Sequence, residues 1–178
     1  MGTPPHLQIS DFGLSLEVGP AGTPQPVVQT LQARLSPAGL HFLAEGGIAE
    51  AGRRAPVGMQ LQSIAVNDAG IDVKVRISKS IIKGELGTRL ALSAPGGQLL
   101  RVELTNVEMP AWVPLDLVLE AAVKRSNGLV QRDPANSRAL LLNPATLLSS
   151  FGVPARFAPG KWAVATSTDG IDLGFQEA

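Results

Sequence analysis

Pro114-Leu115-Asp116-Leu117-Val118-Leu119-Glu120-Ala121-Ala122-Val123-Lys124-Arg125-Ser126-Asn127-Gly128 is the stretch on which the fold reading turns. Wound as a helix of about 100° per residue, it keeps a clearly polar stripe of only Asp116, Glu120, Lys124 and Asn127. Leu115, Leu117, Val118, Leu119, Ala121, Ala122 and Val123 cover the rest. A helix that borders water needs a much narrower apolar face. The pattern therefore predicts a helix over 114–127 that something concave must wrap, and its neighbours are alternating strands. The expected fold class is α+β: a highly curved antiparallel β-sheet rolled around long α-helices, with an aliphatic interior.

Working outward, Leu7, Ile9, Phe12, Leu14, Leu16 and Val18 mostly alternate, which predicts a strand over 7–18. A loop rich in Gly and Pro follows to Pro26, and a second strand covers about 27–35. Leu35-Ser36-Pro37 opens a helix, with Ser36 as N-cap and Pro37 in the first helical position. Leu40, Leu43, Ala44, Gly47, Ile48 and Ala51 share one of its faces. Gly46 and Gly47 predict a close approach of this helix to a sheet. Four strands are expected at about 59–67, 71–81, 84–94 and 98–109, with hairpin turns at Asn67-Asp68-Ala69-Gly70 and Ala94-Pro95-Gly96-Gly97. In the second of these, Ile71, Val73, Val75 and Ile77 face one way and Asp72, Lys74, Arg76 and Ser78 the other. In the fourth, the apolar phase slips between Leu104 and Val107, which predicts a bulge near Thr105 or Asn106. A short strand at 138–142, a helix from Asn143-Pro144 and a hairpin over 161–176, turning at Thr168-Asp169-Gly170, close the chain. Leu35-Ser36-Pro37 followed by Gly70-Ile71-Asp72-Val73 is echoed by Leu142-Asn143-Pro144 followed by Gly170-Ile171-Asp172-Leu173. Shared turn chemistry explains this as well as duplication does.

Composition narrows the class. The 178 residues suffice for one domain over 1–178, with 1–26 partly a Pro/Gly-rich N-terminal strand and loop. Cysteine is absent, so neither disulfides nor a thiolate metal site is available. Fifteen basic and fifteen acidic residues leave a formal net charge of zero, which argues against nucleic acid as a partner. Hydrophobic residues reach 44% while aromatics make up 4%, with no Tyr, so the interior is built from Leu, Val, Ile and Ala. The N-terminus lacks the basic start and apolar run of a signal peptide, and no stretch approaches the roughly 20 apolar residues of a membrane span. A cytoplasmic protein is expected, or an envelope-associated one if a leader was removed.

Motifs for bond chemistry are missing. Gly13-Leu14-Ser15-Leu16-Glu17 lacks the closing glycine of a nucleophile elbow. Of the two histidines, His6 lies in a Pro-rich start and His41 beside the polar side of its helix. Asp68 with Asp72, and Asp169 with Asp172, offer oxygens to a hard cation but lack the ligand series of a calcium loop. In such turns Asp is expected to cap its own backbone. Glu120 and Lys124 form an i,i+4 surface pair. No catalytic residue, metal or cofactor is expected.

Taken in this order, the chain resembles the bacterial LmeA-like phospholipid-binding family of the tubular lipid-binding superfamily. The resemblance rests on Leu35-Ser36-Pro37-Ala38-Gly39-Leu40 at a helix start and on the hairpin Leu61 to Val75. It continues with Val113-Pro114-Leu115-Asp116-Leu117-Val118-Leu119 after a meander, Leu142-Asn143-Pro144-Ala145-Thr146-Leu147-Leu148, and the closing hairpin Trp162 to Phe175. It covers roughly 27–176 and implies a non-enzymatic carrier that holds one or two acyl chains in a tube between sheet and helices. From helix faces, the expected lipid-binding residues are Leu40, Leu43, Ile48, Leu115, Val118, Leu119, Ala122, Leu147 and Phe151. Trp112, held between Pro110 and Pro114, is expected to contact a membrane transiently or to plug the end of the core. The alternative is a structural or protein-interaction module with the same fold and a filled core, acting through a sheet edge or as a homodimer.

Overall fold

The computed structural model describes residues 7–19, 22–54, 58–79, 82–111, 113–126, 128–146 and 156–178. In chain order the elements are β1 (Leu7–Val18), β2 (Pro24–Leu35), α1 (Pro37–Arg54), β3 (Gly58–Asn67), β4 (Gly70–Lys79), β5 (Ile82–Gly96) and β6 (Leu99–Glu108). Then come α2 (Leu115–Arg125), β7 (Val130–Asp133), β8 (Asn136–Leu142), β9 (Arg156–Phe157), β10 (Gly160–Ser167) and β11 (Gly170–Glu177). The strands form two sheets. Sheet 1 has the order β1-β2-β11-β10, with β9 pairing to β2 in parallel, and sheet 2 has the order β3-β4-β5-β6-β8-β7.

This is a mostly β protein built from two antiparallel sheets, not the expected α+β roll around long helices. The correction has a simple physical origin. The apolar helix α2 is only 11 residues, about 16 Å long, and it lies beside β7, at one edge of sheet 2. Its apolar coat is not wrapped: Leu119 is buried, but Leu117 and Ala122 are exposed. Helix α1 lies along β3, at the opposite edge of the same sheet. Gly46 and Gly47 do not press it onto strands, since a Cβ at either would meet open space. Helices α1 and α2 are trimmings on sheet edges, and the strands form the body.

Strand phase explains the sheets. Across β1 and β2, directly opposed residues share a face, and the pairs Leu7–Leu35, Ile9–Ala33, Phe12–Leu31, Leu14–Val28 and Leu16–Pro26 all put apolar groups together. Two irregularities keep that phase. Ser10 is an extra residue on β1 and Gln29 one on β2, and each resets the alternation by one position. Gln62 does the same for β3, so that Met59, Leu61, Ile64 and Val66 oppose Ile77, Val75, Val73 and Ile71. The expected phase slip in β6 is present too: the β5–β6 register shifts opposite Thr105 to Glu108, and Asn106 there takes φ +49°.

The core lies where the two sheets meet. Val28 of β2, Phe157 of β9, Trp162 of β10 and Phe175 of β11 pack with Leu100 of β6, and Ala94, Leu142 and Ala145 close around them. The three rings meet edge-on or tilted at 4.8–5.1 Å between centroids. Gln98, at the β5–β6 turn, donates from Nε2 to the carbonyls of Phe157 and Ala158, both at 2.9 Å, and pins β9 to sheet 2.

The helix starts follow the sequence reading. Gly39 N–H donates to Ser36 Oγ at 3.1 Å, and Ala145 N–H to Asn143 Oδ1 at 3.0 Å. Strands β7 and β9 escape sequence reading because four and two residues are too short to show a period.

Candidate functional site

The inner face of sheet 1 is the place to begin. Starting from the core, it runs through Trp162 and Val164 of β10, then Phe175, Leu173 and Ile171 of β11, then Leu31, Ala33 and Leu35 of β2. It does not stop there. The register carries the same face onto β1, through Leu7, Ile9, Phe12, Leu14, Leu16 and Val18. Over β10, β11 and the middle of β2 this face is covered. Over β1 it is not, and those six side chains are 44–79% exposed. The opposite face carries Gln8, Ser15 and Glu17 on β1, Thr30, Gln32 and Arg34 on β2, and Asp172 and Gln176 on β11. Apart from Val27, which is buried on the polar side, and the alanines Ala163 and Ala165 of β10, sheet 1 is thus amphipathic, and its apolar side overhangs the core by one strand.

The exposed apolar area of the row is on the order of 600 Å², at the upper end of the 300–600 Å² patch that monomers normally show. Removing it from water is worth on the order of 15 kcal/mol gross, before any cost of association. Among the described residues, β2 is the only strand paired with β1, so the outer backbone edge of β1 is open as well. Phe42 and Leu43 add a second exposed apolar point on α1, beside a shallow hollow of about 330 Å³ shared with Glu45, Gly46 and Gly47.

Polar groups elsewhere are engaged in structure. Arg34 forks onto Asp172, and Arg89 onto Asp72. Each guanidinium holds its carboxyl below the usual carboxylate range, and the Asn67 amide assists at Asp72. Asp133, buried in its turn, is lowered first by the Ala135 N–H and then by Arg101. In the β3–β4 and β10–β11 hairpins the turn backbone is capped by Asn67, accepting from Ala69 N–H, and by Ser167, accepting from Asp169 N–H. Asp72 and Asp172, expected to cap their own backbone, instead bridge strands. His41 Nδ1 faces Glu45 on the solvated side of α1 at 3.6 Å. No group of three or more metal-ligating side chains occurs among the described residues. No helix among them is long and apolar enough to cross a membrane.

The residues expected to line a lipid tube are not brought together. Leu40 and Ile48 are half-buried and Leu43 is exposed on α1; Leu115 and Val118 are half-buried, Leu119 buried and Ala122 exposed on α2. The two helices contact strands at opposite edges of a six-stranded sheet, β3 and β7, which are five strand spacings or roughly 24 Å apart measured along the sheet. Leu147, Phe151 and Trp112 lie outside the described residues. The row on β1 was legible as a strand but not as a site. The signal for it lies in six large apolar side chains on one face of that strand, which call for a cover.

No protein-family model, curated protein or solved structure matches this chain.

Proposed function

We propose that the protein is a non-enzymatic binder of lipid acyl chains, and that the uncovered row of β1 is where they lie. The observation behind this reading is the continuity of one apolar face from the packed core, which is centred on three aromatic rings and not purely aliphatic as expected, out to an exposed strand. An acyl chain needs area and dispersion contact instead of directional partners, and the row offers no charged or hydroxyl group. Each methylene laid on it contributes about 0.8 kcal/mol. The tyrosine-free, leucine-rich composition favours the same class. An open surface takes the place of the tube.

Native mass spectrometry of the purified protein, followed by organic extraction, tests this. Extra mass that extracts as phospholipid or fatty acid, and that falls in a Leu14→Ser/Leu16→Ser variant, supports acyl binding. An unliganded mass that stays unchanged after incubation with phosphatidylcholine vesicles overturns it.

A further inference from the structure

We propose that β1 is also a self-association surface: two copies of this chain bury their β1 rows against each other across a two-fold axis. The inference uses the same row as acyl binding but does not depend on that reading.

The two-sheet core supplies the reasoning. Sheet 2 is the second layer over β10, β11 and part of β2, and among the described residues the apolar row of β1 lies beyond that layer and stays exposed. A stable sandwich covers an apolar sheet face with another apolar sheet face. The row of a second copy is such a cover, because a two-fold contact places the same patch on both sides and needs only that the patch complement itself. A row made of Leu7, Ile9, Phe12, Leu14, Leu16 and Val18 carries no charge to repel its own image.

Area and charge agree. Two rows of on the order of 600 Å² offer at most roughly 1,200 Å² together, where specific interfaces begin. The whole chain has a formal net charge of zero, so no long-range repulsion holds copies apart. Asp11 and Glu17 point to the polar face of sheet 1, away from the contact.

Sedimentation equilibrium of the delipidated full chain, from low micromolar to submillimolar concentration, decides the matter. The expected result is a species of twice 18.5 kDa that dissociates in Leu14→Ser/Leu16→Ser, with a dissociation constant raised at least tenfold, and persists in Leu14→Met/Leu16→Met. If the serine variant loses its fold by circular dichroism, Val18→Asp at the most exposed end of the row takes its place. A monomer at every concentration overturns the proposal, as does a dimer indifferent to these changes. Extracting the same samples for bound lipid after vesicle incubation separates the two readings. Lipid without a dimer leaves acyl binding standing alone, and a dimer without lipid leaves only self-association.

Discussion

Arg34 donates to Asp172 from Nε at 2.6 Å and from Nη2 at 2.9 Å, joining β2 to β11 across 138 residues of chain. Sheet 2 contains the same contact between Arg89 and Asp72, at 2.7 and 3.0 Å. The likeness extends to the surroundings. Ile171 opposes Leu35 as Ile71 opposes Leu90, so Arg-Leu meets Gly-Ile-Asp in both sheets. Gly170 and Gly70 take φ of +134° and +131°. Only the Gly-Ile-Asp half of the sequence echo takes part in this repeated corner: Leu35 belongs with Gly170, Leu90 takes the matching place beside Gly70, and Leu142-Asn143-Pro144 lies outside both.

The two forks predict a pH dependence of one sign. Both carboxyls are held below their ordinary range by the arginine, so their contribution is present above the unfolded pKa of about 3.9 and is lost as pH falls through the folded value. Asp172→Asn and Asp72→Asn should each lower stability to urea at neutral pH. The gap to the unsubstituted protein should close on acidification below about pH 4. A double-mutant cycle with Arg34→Gln should show coupling at pH 7 and none in acid; solvent around these exposed groups keeps the coupling small.

At the corner itself the backbone admits glycine alone. A Cβ on Gly170 would stand 2.2 Å from the Leu35 carbonyl oxygen, and one on Gly70 2.4 Å from that of Leu90. Gly170→Ala and Gly70→Ala should each destabilise by at least about 2 kcal/mol, combining an unfavourable φ with a backbone clash. Gly46→Ala in α1 should instead stabilise by up to about 1 kcal/mol, since its Cβ meets nothing. Equilibrium denaturation of the three variants checks both signs.

Burial sets a second contrast. Phe175 is 1% exposed and sits between Phe157 and Trp162. Phe175→Ala should cost about 3–5 kcal/mol. Leu14→Ser/Leu16→Ser, on the open row, should stay within about 1 kcal/mol, half of that for each surface site. The same variant should lose most of the fluorescence of a bound apolar dye, which Phe175→Ala in its folded state should retain.

Capping offers a local test. Ser36→Ala should cost about 1 kcal/mol by leaving the Gly39 N–H unpaired, and Ser36→Asp should restore most of it. Circular dichroism during thermal unfolding reads this directly.

Much of this architecture was legible because strand alternation and helix caps are local. The spans of β1, β3 to β6 and β10 to β11, the cap at Ser36 and the irregularity near Asn106 all follow from short-range pattern. Partnership was not legible. Nothing local says that β11 pairs with β2, or that α1 and α2 end at opposite edges of one sheet. The apolar coat of α2 invited a wrapping sheet because a pattern of side chains gives no distance, and 11 residues are too few to be wrapped. The site was missed for a related reason: an amphipathic strand reads alike whether its apolar side is covered or bare.

The pairing of β2 has a consequence for synthesis. Leu35 pairs on one side with Leu7, close behind it in the chain, but its other neighbour, Ile171, is synthesised well over a hundred residues later. At roughly 5–20 residues per second, the intervening chain takes on the order of ten seconds to appear. Through that interval the nascent β1–β2 ribbon has neither its final neighbour nor its aromatic cluster. Its leucine-rich side is then open to any other growing chain. Productive folding of sheet 1 therefore turns on keeping that side apart from other chains until β11 is made.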